Sequence, residues 1–198
     1  MNYLAHAYLS FNHAPTLVGN MISDFVKGKK KFDYSIPIQQ GIHLHRLIDE
    51  FTDFHTATKE AKQFFKPSVG LYAGAFVDVV YDHFLALDVS VFSTPEALNQ
   101  FSTTTYLQLQ NNKNLLPEKF SNMLPYMQQQ NWLYNYQFLW GMEKSFEGVV
   151  RRANYLQSSA TAFEAFQQHY AGLQQCYHAF ISDVKKMAME QFELMQKL

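Results

Sequence analysis

The stretch FVDVVYDHFLALD, residues 76–88, decides the fold class because it is apolar on nearly every side at helical spacing. This pattern predicts a helix that is buried from most directions by other helices. Asp78 and Asp82 lie four residues apart on one face of it, and His83 follows about 100° further round the axis. Since a buried, unpaired carboxylate is costly and two adjacent ones repel, the pair requires a positive charge beside it.

Two sources could supply that positive charge. Arg46 or a lysine would neutralise the carboxylates in a buried salt bridge, which is a purely structural interpretation. Alternatively, a divalent cation would do so, with His83 as a nitrogen ligand and the carboxylates as oxygen ligands. The stretch itself leaves both interpretations open.

The rest of the chain also predicts helices, because apolar residues recur at spacings of three and four and β-branched runs are scarce. Predicted helices cover residues 2–11, 15–28, 37–65 with an interruption, 71–87, a segment that begins near Ser93, Thr94 and Pro95, two shorter helices divided by Pro117 and Pro125, and a long amphipathic tail over 158–198. Residues 27–37 predict a polar connection. We therefore expect one all-α domain, a helical bundle over residues 1–198.

Composition limits the function classes. The 198 residues are 47% hydrophobic and 17% charged, which suits one well-buried domain. A formal charge of -1 gives no whole-protein attraction to nucleic acid or to an anionic membrane. Cys176 is the single cysteine, so an internal disulfide and a cysteine zinc site are excluded, and a reducing compartment, the cytoplasm, is expected. We also expect no secretory leader and no membrane-spanning run; the oligomeric state stays open.

A second polar pattern lies in GIHLHRLIDEFTDFH, residues 41–55. His45, Asp49 and Asp53 follow one another at spacings of four, with Arg46 beside them. A solvated helix face usually carries Lys, Glu and Gln, whereas Asp and His are poorer helix formers. A solvated face and a functional face are therefore about equally good interpretations.

Two further polar residues stand in apolar settings, His6 in NYLAHAYL and Asp24 in NMISDFV, with Asn20 four residues before Asp24. Each of them alone is typical of a hydrogen-bonded core residue or a surface residue. Together with the two helices above, they would let four segments converge on one metal site, as helical bundles often do.

Four of these stretches carry a family resemblance: MNYLAHAYLS, GNMISDFVKG, GIHLHRLIDEFTDFH and DVVYDHFLA, in this order between Met1 and Asp88. They resemble the acyl carrier protein phosphodiesterases, also called holo-ACP hydrolases. That family is similar in chemistry to the HD-domain metal-dependent phosphohydrolases, which are all-helical. The resemblance therefore implies an HD-domain-like helical fold.

The resemblance also implies an activity and a site. The activity is hydrolysis of the phosphodiester between 4'-phosphopantetheine and the serine of acyl carrier protein, with Mn²⁺ as the favoured metal and Mg²⁺ or Fe²⁺ as alternatives. The residues carried over as metal ligands are His6, Asp24, Asp49, Asp78, Asp82 and His83. His45 is expected to orient water or to protonate the leaving serine, and Arg46 to bind a phosphoryl oxygen.

The only dense basic patch, Lys27, Lys29, Lys30 and Lys31, follows Asp24 directly. Acyl carrier proteins present acidic surfaces near their modified serine, so this patch is expected to guide that partner. A solvated, lysine-rich loop is the alternative interpretation.

Two other function classes remain. A metal phosphohydrolase of a small nucleotide or phosphate ester would explain the His and Asp residues but not the lysine patch. A non-enzymatic helical interaction protein would use the buried Asp residues in structural salt bridges, and its melting temperature would then be independent of metal and chelator.

Overall fold

All regular structure in residues 1–197, which the computed structural model describes, is helical, so the all-α prediction is confirmed. Within this range the α-helices are α1 (Tyr3–Tyr8), α2 (Ala14–Ile22), α3 (Ile36–Phe54), α4 (Thr56–Val69), α5 (Ala73–Leu87), α6 (Pro95–Asn111), α7 (Glu118–Gln129), α8 (Trp132–Asn135), α9 (Leu139–Arg152), α10 (Ala160–Gln168) and α11 (Tyr170–Gln196). Short 3₁₀ helices cover Ser23–Phe25, Gly28–Asp33, Gly70–Tyr72 and Lys113–Leu115.

Helix α5 is the central helix that the opening stretch predicts. Phe76, Val80, Tyr81 and Leu85 are fully buried, and α1, α4, α9 and α11 pack against the helix from different sides. Each such side chain stabilises the fold by about 1.5–3 kcal/mol relative to leaving it in water. The buried apolar residues form one continuous cluster, which extends along the chain from Met1 to Met195.

Helices α2 and α3 approach each other closely through two glycines. A Cβ atom at Gly19 would collide with the carbonyl oxygen of Ile38, and one at Gly41 would collide with the backbone of Thr16. Only a residue without a side chain permits this approach. The close contact brings the end of α2 against the middle of α3, where His45 lies.

Two prolines do not end helices as their positions predict. Helix α4 continues through Pro67 to Val69 and ends at Gly70, whose φ of +55° favours glycine. Helix α7 likewise runs through Pro125. A proline inside a helix costs roughly 3 kcal/mol, and in α7 the burial of the apolar face formed by Phe120, Leu124 and Met127 offsets this cost.

The long tail is two helices rather than one, because α10 ends at Gln168 and α11 begins at Tyr170. His169, between them, lies against the ring of Phe64 in α4, with ring centroids 4.8 Å apart. An amphipathic pattern that continues through both helices does not reveal this break. The last residue of the predicted tail, Leu198, lies outside the described residues.

The interruption expected within residues 37–65 falls at His55, where α3 ends and α4 begins. The His55 ring caps α4 by accepting a hydrogen bond from the Ala57 amide, 3.2 Å away. The next long helix begins where the sequence predicts, at Pro95, and the Thr94 hydroxyl caps it by accepting from the Ala97 amide at 3.2 Å. The polar connection contains the 3₁₀ helix Gly28–Asp33.

One segment is long and apolar enough to span a membrane by length and composition alone, contrary to the expectation from the sequence. It covers Thr56–Leu87, and 67% of its most apolar window is buried inside the protein. The chain turns at Gly70 within it, and Asp82 is fully buried there. These features are those of core helices that pack against other parts of the same chain.

Candidate metal centre

His6 of α1 and His45 and Asp49 of α3 form a compact group whose ligand atoms all lie within 4.8 Å of one another. The Nε2 atom of His6 lies 3.2 Å from Asp49 Oδ1, and the Nε2 atom of His45 lies 3.0 Å from Asp49 Oδ2. The two imidazole rings stack, with centroids 3.9 Å apart and planes inclined by 15°. One carboxylate thus faces two parallel imidazoles.

Asn20, near the end of α2, fixes the orientation of both rings. His6 Nδ1 lies 2.8 Å from the side-chain oxygen of Asn20, and His45 Nδ1 lies 2.8 Å from its main-chain oxygen. Both oxygens only accept hydrogen bonds, so each Nδ1 atom carries the proton and donates. In the neutral form each ring therefore presents the lone pair of Nε2 towards Asp49. Metal-binding histidines are held in this way.

The two Nε2 atoms are buried, and in the neutral rings they meet only carboxylate oxygens, which have no proton to donate. Lone pairs that face a carboxylate repel it, so the group requires a proton or a cation. Burial lowers the pKa of His45, but hydrogen bonding and charge from Asp24 and Asp49 outweigh this and raise it to about 9. Burial and the neighbouring His45 lower the pKa of His6 to about 4. The pair therefore holds a single positive charge at neutral pH without metal.

Asp24 completes the group on its open side. It belongs to the 3₁₀ helix Ser23–Phe25, and its Oδ1 atom lies 3.3 Å from His45 Nε2. Its side chain is 72% exposed and that of Asp49 is 41% exposed, whereas both histidines are buried. Nitrogen donors inside and carboxylate oxygens at the surface suit a borderline divalent metal such as Mn, Fe or Zn. The residues present therefore fit a metal ion.

Asp78 lies beside this group but is paired differently from either expectation. Its Oδ1 atom lies 2.9 Å from the α-ammonium nitrogen of Met1, which is also 3.6 Å from Asp49 Oδ1. Burial lowers the pKa of this ammonium group, but Asp78 and Asp49 outweigh it and raise the pKa to about 10. The positive charge beside Asp78 is thus the chain terminus, and neither Arg46 nor a lysine.

Asp82 lies outside the His6, His45 and Asp49 group and binds the backbone of α1, so its expected place among the metal ligands stays a prediction. Its two oxygens accept hydrogen bonds from the Leu4 amide at 2.7 Å and the Ala5 amide at 3.1 Å. The N-cap residue of α1, Asn2, makes no capping bond, so Asp82 satisfies the first turn of that helix from α5. Burial raises the pKa of Asp82 to about 7.

His83 also lies apart from the group, and both of its ring nitrogens have partners. Nδ1 donates to the main-chain oxygen of Tyr136 at 2.6 Å, and Nε2 lies 2.9 Å from the Tyr170 hydroxyl. Burial lowers the pKa of His83. Of the four segments expected to converge, α1, α3 and the end of α2 do so. From α5 only Asp78 lies close, and the Met1 ammonium group lies between it and Asp49.

Arg46 and the lysines lie at the exposed edge of the centre. Arg46 is exposed, and its guanidinium group donates to the Val26 carbonyl at 3.4 Å, just after the turn that holds Asp24. Lys27, Lys29 and Lys30 are exposed, and Lys31 is half-buried. Asp53, which the sequence places on the same face as Asp49, instead pairs with Lys62 at 2.7 Å.

Asn20 is the functional residue that the sequence argument did not include among the candidates. It is fully buried, and its side-chain nitrogen donates to the His6 carbonyl at 2.9 Å and to the Ser10 hydroxyl at 3.1 Å. A buried amide in the apolar run LVGNMI was the available signal. The role of the Met1 ammonium group leaves no signal in the residue pattern.

Comparison with known proteins identifies relatives over nearly the whole chain. The sequence profile of the family described as acyl carrier protein phosphodiesterase matches residues 1–184. Proteins named acyl carrier protein phosphodiesterase from Photorhabdus laumondii and Yersinia enterocolitica are each 31% identical, over 91% and 96% of this chain and 91% and 98% of their own. The protein of that name from Klebsiella pneumoniae strain 342 is 30% identical over 95% of this chain and 97% of its own. No solved structure matches the chain.

Proposed function

The chain belongs to the acyl carrier protein phosphodiesterase family, and we propose from this that it hydrolyses the phosphodiester between 4'-phosphopantetheine and the serine of acyl carrier protein. The products are the apo carrier protein and 4'-phosphopantetheine. The observation that carries the proposal is the family match together with the His6, His45 and Asp49 group, since a hydrolase of a phosphodiester needs a centre that can stabilise phosphoryl charge.

We propose that His6, His45 and Asp49 hold the metal, with Asp24 on the open side. Two imidazole nitrogens with carboxylate oxygens favour Mn²⁺ or Fe²⁺ over Mg²⁺, which prefers oxygen ligands alone. When bound, such a metal polarises phosphoryl oxygens and lowers the pKa of water. In this proposal His45 has a ligand role and not the acid/base role that the sequence suggested, because its buried Nε2 atom faces the carboxylate of Asp49 beside that of His6.

The remaining residues have roles that follow from their position. Asp24 has an exposed carboxylate at the open side of the centre, where it orients water and accepts its proton. Arg46 presents guanidinium N–H groups beside the same turn, and these bind a non-bridging phosphoryl oxygen. Asn20 keeps both histidines in the tautomer that presents Nε2.

Carrier-protein docking is assigned to the exposed lysines that follow Asp24. Lys27, Lys29 and Lys30 extend from the same turn that bounds the metal group, so an acidic partner that binds there brings its modified serine towards the centre. We place the enzyme in the cytoplasm, since its single cysteine, Cys176, is unpaired and buried.

The direct test is the intact mass of holo-acyl carrier protein after incubation with the protein and Mn²⁺, beside a sample with chelator. Loss of the 4'-phosphopantetheine mass only in the presence of metal is the expected result. Hydrolysis of a generic phosphodiester while holo-carrier protein stays intact would instead select a small-ester phosphohydrolase. A melting temperature that ignores both metal and chelator would select a non-enzymatic protein.

A further inference from the structure

A cavity of about 460 Å³ lies between the start of α1, helix α8 and helix α9. This volume falls within the range of pockets that bind small molecules, about 300–1,000 Å³. Trp132 and Trp140, the only two tryptophans of the chain, both line it, together with Arg151 and Arg152. The cavity thus combines flat aromatic surface with positive charge.

The cavity and the metal group share helix α1. Asn2 and Tyr3 line it, and Met1, the residue before them, places its ammonium nitrogen 3.6 Å from Asp49 Oδ1. His6 follows Tyr3 by three residues in α1, so both side chains lie on one side of that helix, about one turn apart. The first residues of the chain thus connect the cavity, at Asn2 and Tyr3, to the metal group, at His6.

The charge in the cavity suits an anion. Lys144 and Arg151 share the carboxylate of Glu147, at 3.3 Å and 4.0 Å. Arg152 has no ion-pair partner among residues 1–197, and its Nε atom donates to the Gly148 carbonyl at 3.3 Å. Burial raises the pKa of the Tyr3 hydroxyl, Arg152 opposes this effect and Asp24 adds to it. Tyr3 and Arg152 line the cavity together.

The aromatic wall extends away from the charged end. Trp140 is 55% exposed and stacks on Phe138, with ring centroids 5.8 Å apart and planes inclined by 11°. The Trp132 indole donates to Gln130 Oε1 at 2.9 Å, which fixes that ring at the cavity wall. Exposed aromatic surface of this kind marks a binding site on a protein surface. It suits a thin, flexible chain that bears amide groups.

His83 has a place in this arrangement. Its Nδ1–H donates to the main-chain oxygen of Tyr136 at 2.6 Å, and Tyr136 lines the cavity, where its hydroxyl accepts from Asn2 Nδ2 at 3.1 Å. His83 therefore positions one wall of the cavity rather than the metal.

We propose that this cavity binds the phosphopantetheine arm of the substrate, with Arg152 at the phosphate end and Trp132 and Trp140 along the pantetheine chain. The inference rests on the proposed function, and it adds the site that recognises the prosthetic group. Coenzyme A carries the same phosphopantetheine arm, so either coenzyme A or the carrier protein could supply the ligand of this cavity. The carrier protein is the source favoured by the lysines beside Asp24.

Tryptophan fluorescence tests the proposal directly, because both tryptophans line this cavity. Titration of the metal-loaded protein with 4'-phosphopantetheine is expected to give a saturable change in emission. Pantetheine without phosphate is expected to bind about tenfold more weakly, and Arg152→Gln to reduce binding of the phosphorylated form to that same level. Lys66→Gln, which changes an exposed cation on α4, is the matched control and should leave the titration unchanged.

Kinetics with holo-carrier protein supply the second measurement. Trp140→Ala is expected to raise KM severalfold with a smaller effect on kcat, whereas Phe54→Ala, which removes another aromatic ring that is 69% exposed, should leave both unchanged. Both changes lie at the surface, so the folded state is kept.

The outcomes separate this inference from the proposed function. Hydrolysis of holo-carrier protein without any fluorescence response to 4'-phosphopantetheine would overturn the arm site and leave the proposed function intact. A saturable, Arg152-dependent response in a protein that leaves holo-carrier protein intact would support the site and remove the proposed function. Hydrolysis of coenzyme A in preference to holo-carrier protein would overturn the carrier protein as the source of the arm.

Discussion

His6 and His45 lie face to face, with ring centroids 3.9 Å apart, and both direct a buried Nε2 atom at the carboxylate of Asp49. Two such lone pairs next to an anion are unfavourable unless a cation or a proton joins them. The orientation is imposed by Asn20, which accepts from the opposite nitrogen of each ring. Buried polar groups thus hold both candidate ligands in one tautomer.

Replacement of Asn20 by alanine removes the partner of the His6 ring while the main-chain partner of His45 remains. We expect the affinity for Mn²⁺ to fall by about 10- to 100-fold, the usual effect of losing a group that orients a ligand. Isothermal titration calorimetry measures this affinity, and a thermal melt shows whether the variant is folded. Asn99→Ala, at an exposed amide, is the control. Unchanged Mn²⁺ affinity in folded Asn20→Ala would contradict the orienting role.

The pH dependence of metal-free stability follows from the opposite pKa shifts of the two histidines. His45 has a pKa of about 9 in the folded state against about 6.5 in the unfolded chain, so between these values only the folded state keeps this proton. Its stabilising effect is complete below pH 6.5 and is lost as the pH rises through 9, by roughly 3 kcal/mol. His6 has a pKa of about 4 in the folded state, below its unfolded value, so it acts in the opposite direction. The stability that it contributes above pH 6.5 is lost as the pH falls from 6.5 through 4.

Urea denaturation of the metal-free protein between pH 5 and 9 measures these losses. The Met1 ammonium group, with a pKa of about 10, adds its own loss above its ordinary value of 8.0. His45→Gln is therefore the control that isolates the histidine, and it should remove most of the decline between neutral pH and 8. A wild-type stability that rises over this interval would disprove the assignment of the proton to His45.

Asp82→Ala separates a structural from a metal-binding role for the buried aspartate. Because the Leu4 and Ala5 amides lose their acceptor, we expect the free energy of unfolding to fall by about 2 kcal/mol. Asp82→Asn, which keeps one acceptor oxygen, should lose less. Calorimetric Mn²⁺ affinity should stay close to that of the unchanged protein in both variants. A folded Asp82→Ala protein that no longer binds Mn²⁺ would restore Asp82 as a ligand.

The sequence predicts the central helix and the polar face of α3 because both depend on local periodicity. The residues 76–88 are apolar all round, and His45 and Asp49 are four residues apart, so burial and a shared face follow from helix geometry alone. The family resemblance is confirmed over residues 1–184.

Local periodicity could not predict which partners the buried polar groups choose. Asp82 and His83 are neighbours in the chain, yet one caps α1 and the other contacts Tyr136 and Tyr170, because these choices depend on how distant helices pack. Helices α4 and α7 continue through Pro67 and Pro125 for a related reason. The burial of their apolar faces against other helices outweighs the local free-energy cost of a proline inside a helix.

Charge reversal at the lysine patch tests its role in docking. For Lys29→Glu with Lys30→Glu, we expect KM for holo-carrier protein to rise by about 3- to 10-fold with little change in kcat, because attraction to an acidic partner is lost. The dependence of KM on salt should weaken at the same time. Lys185→Glu with Lys186→Glu, an equal change of charge on exposed residues of α11, is the control. Equal effects of the two pairs would indicate a general charge effect instead of docking.

Asp49 and Asp53 offer the most direct test of the central claim, since they are one helical turn apart and only Asp49 contacts the histidines. Holo-acyl carrier protein would be incubated with Mn²⁺ and with the unchanged protein, Asp49→Asn or Asp53→Asn, and its intact mass measured. We predict loss of the 4'-phosphopantetheine mass with the unchanged protein and with Asp53→Asn, and an intact substrate with Asp49→Asn. Equal release by folded Asp49→Asn and Asp53→Asn would contradict a hydrolytic centre at His6, His45 and Asp49.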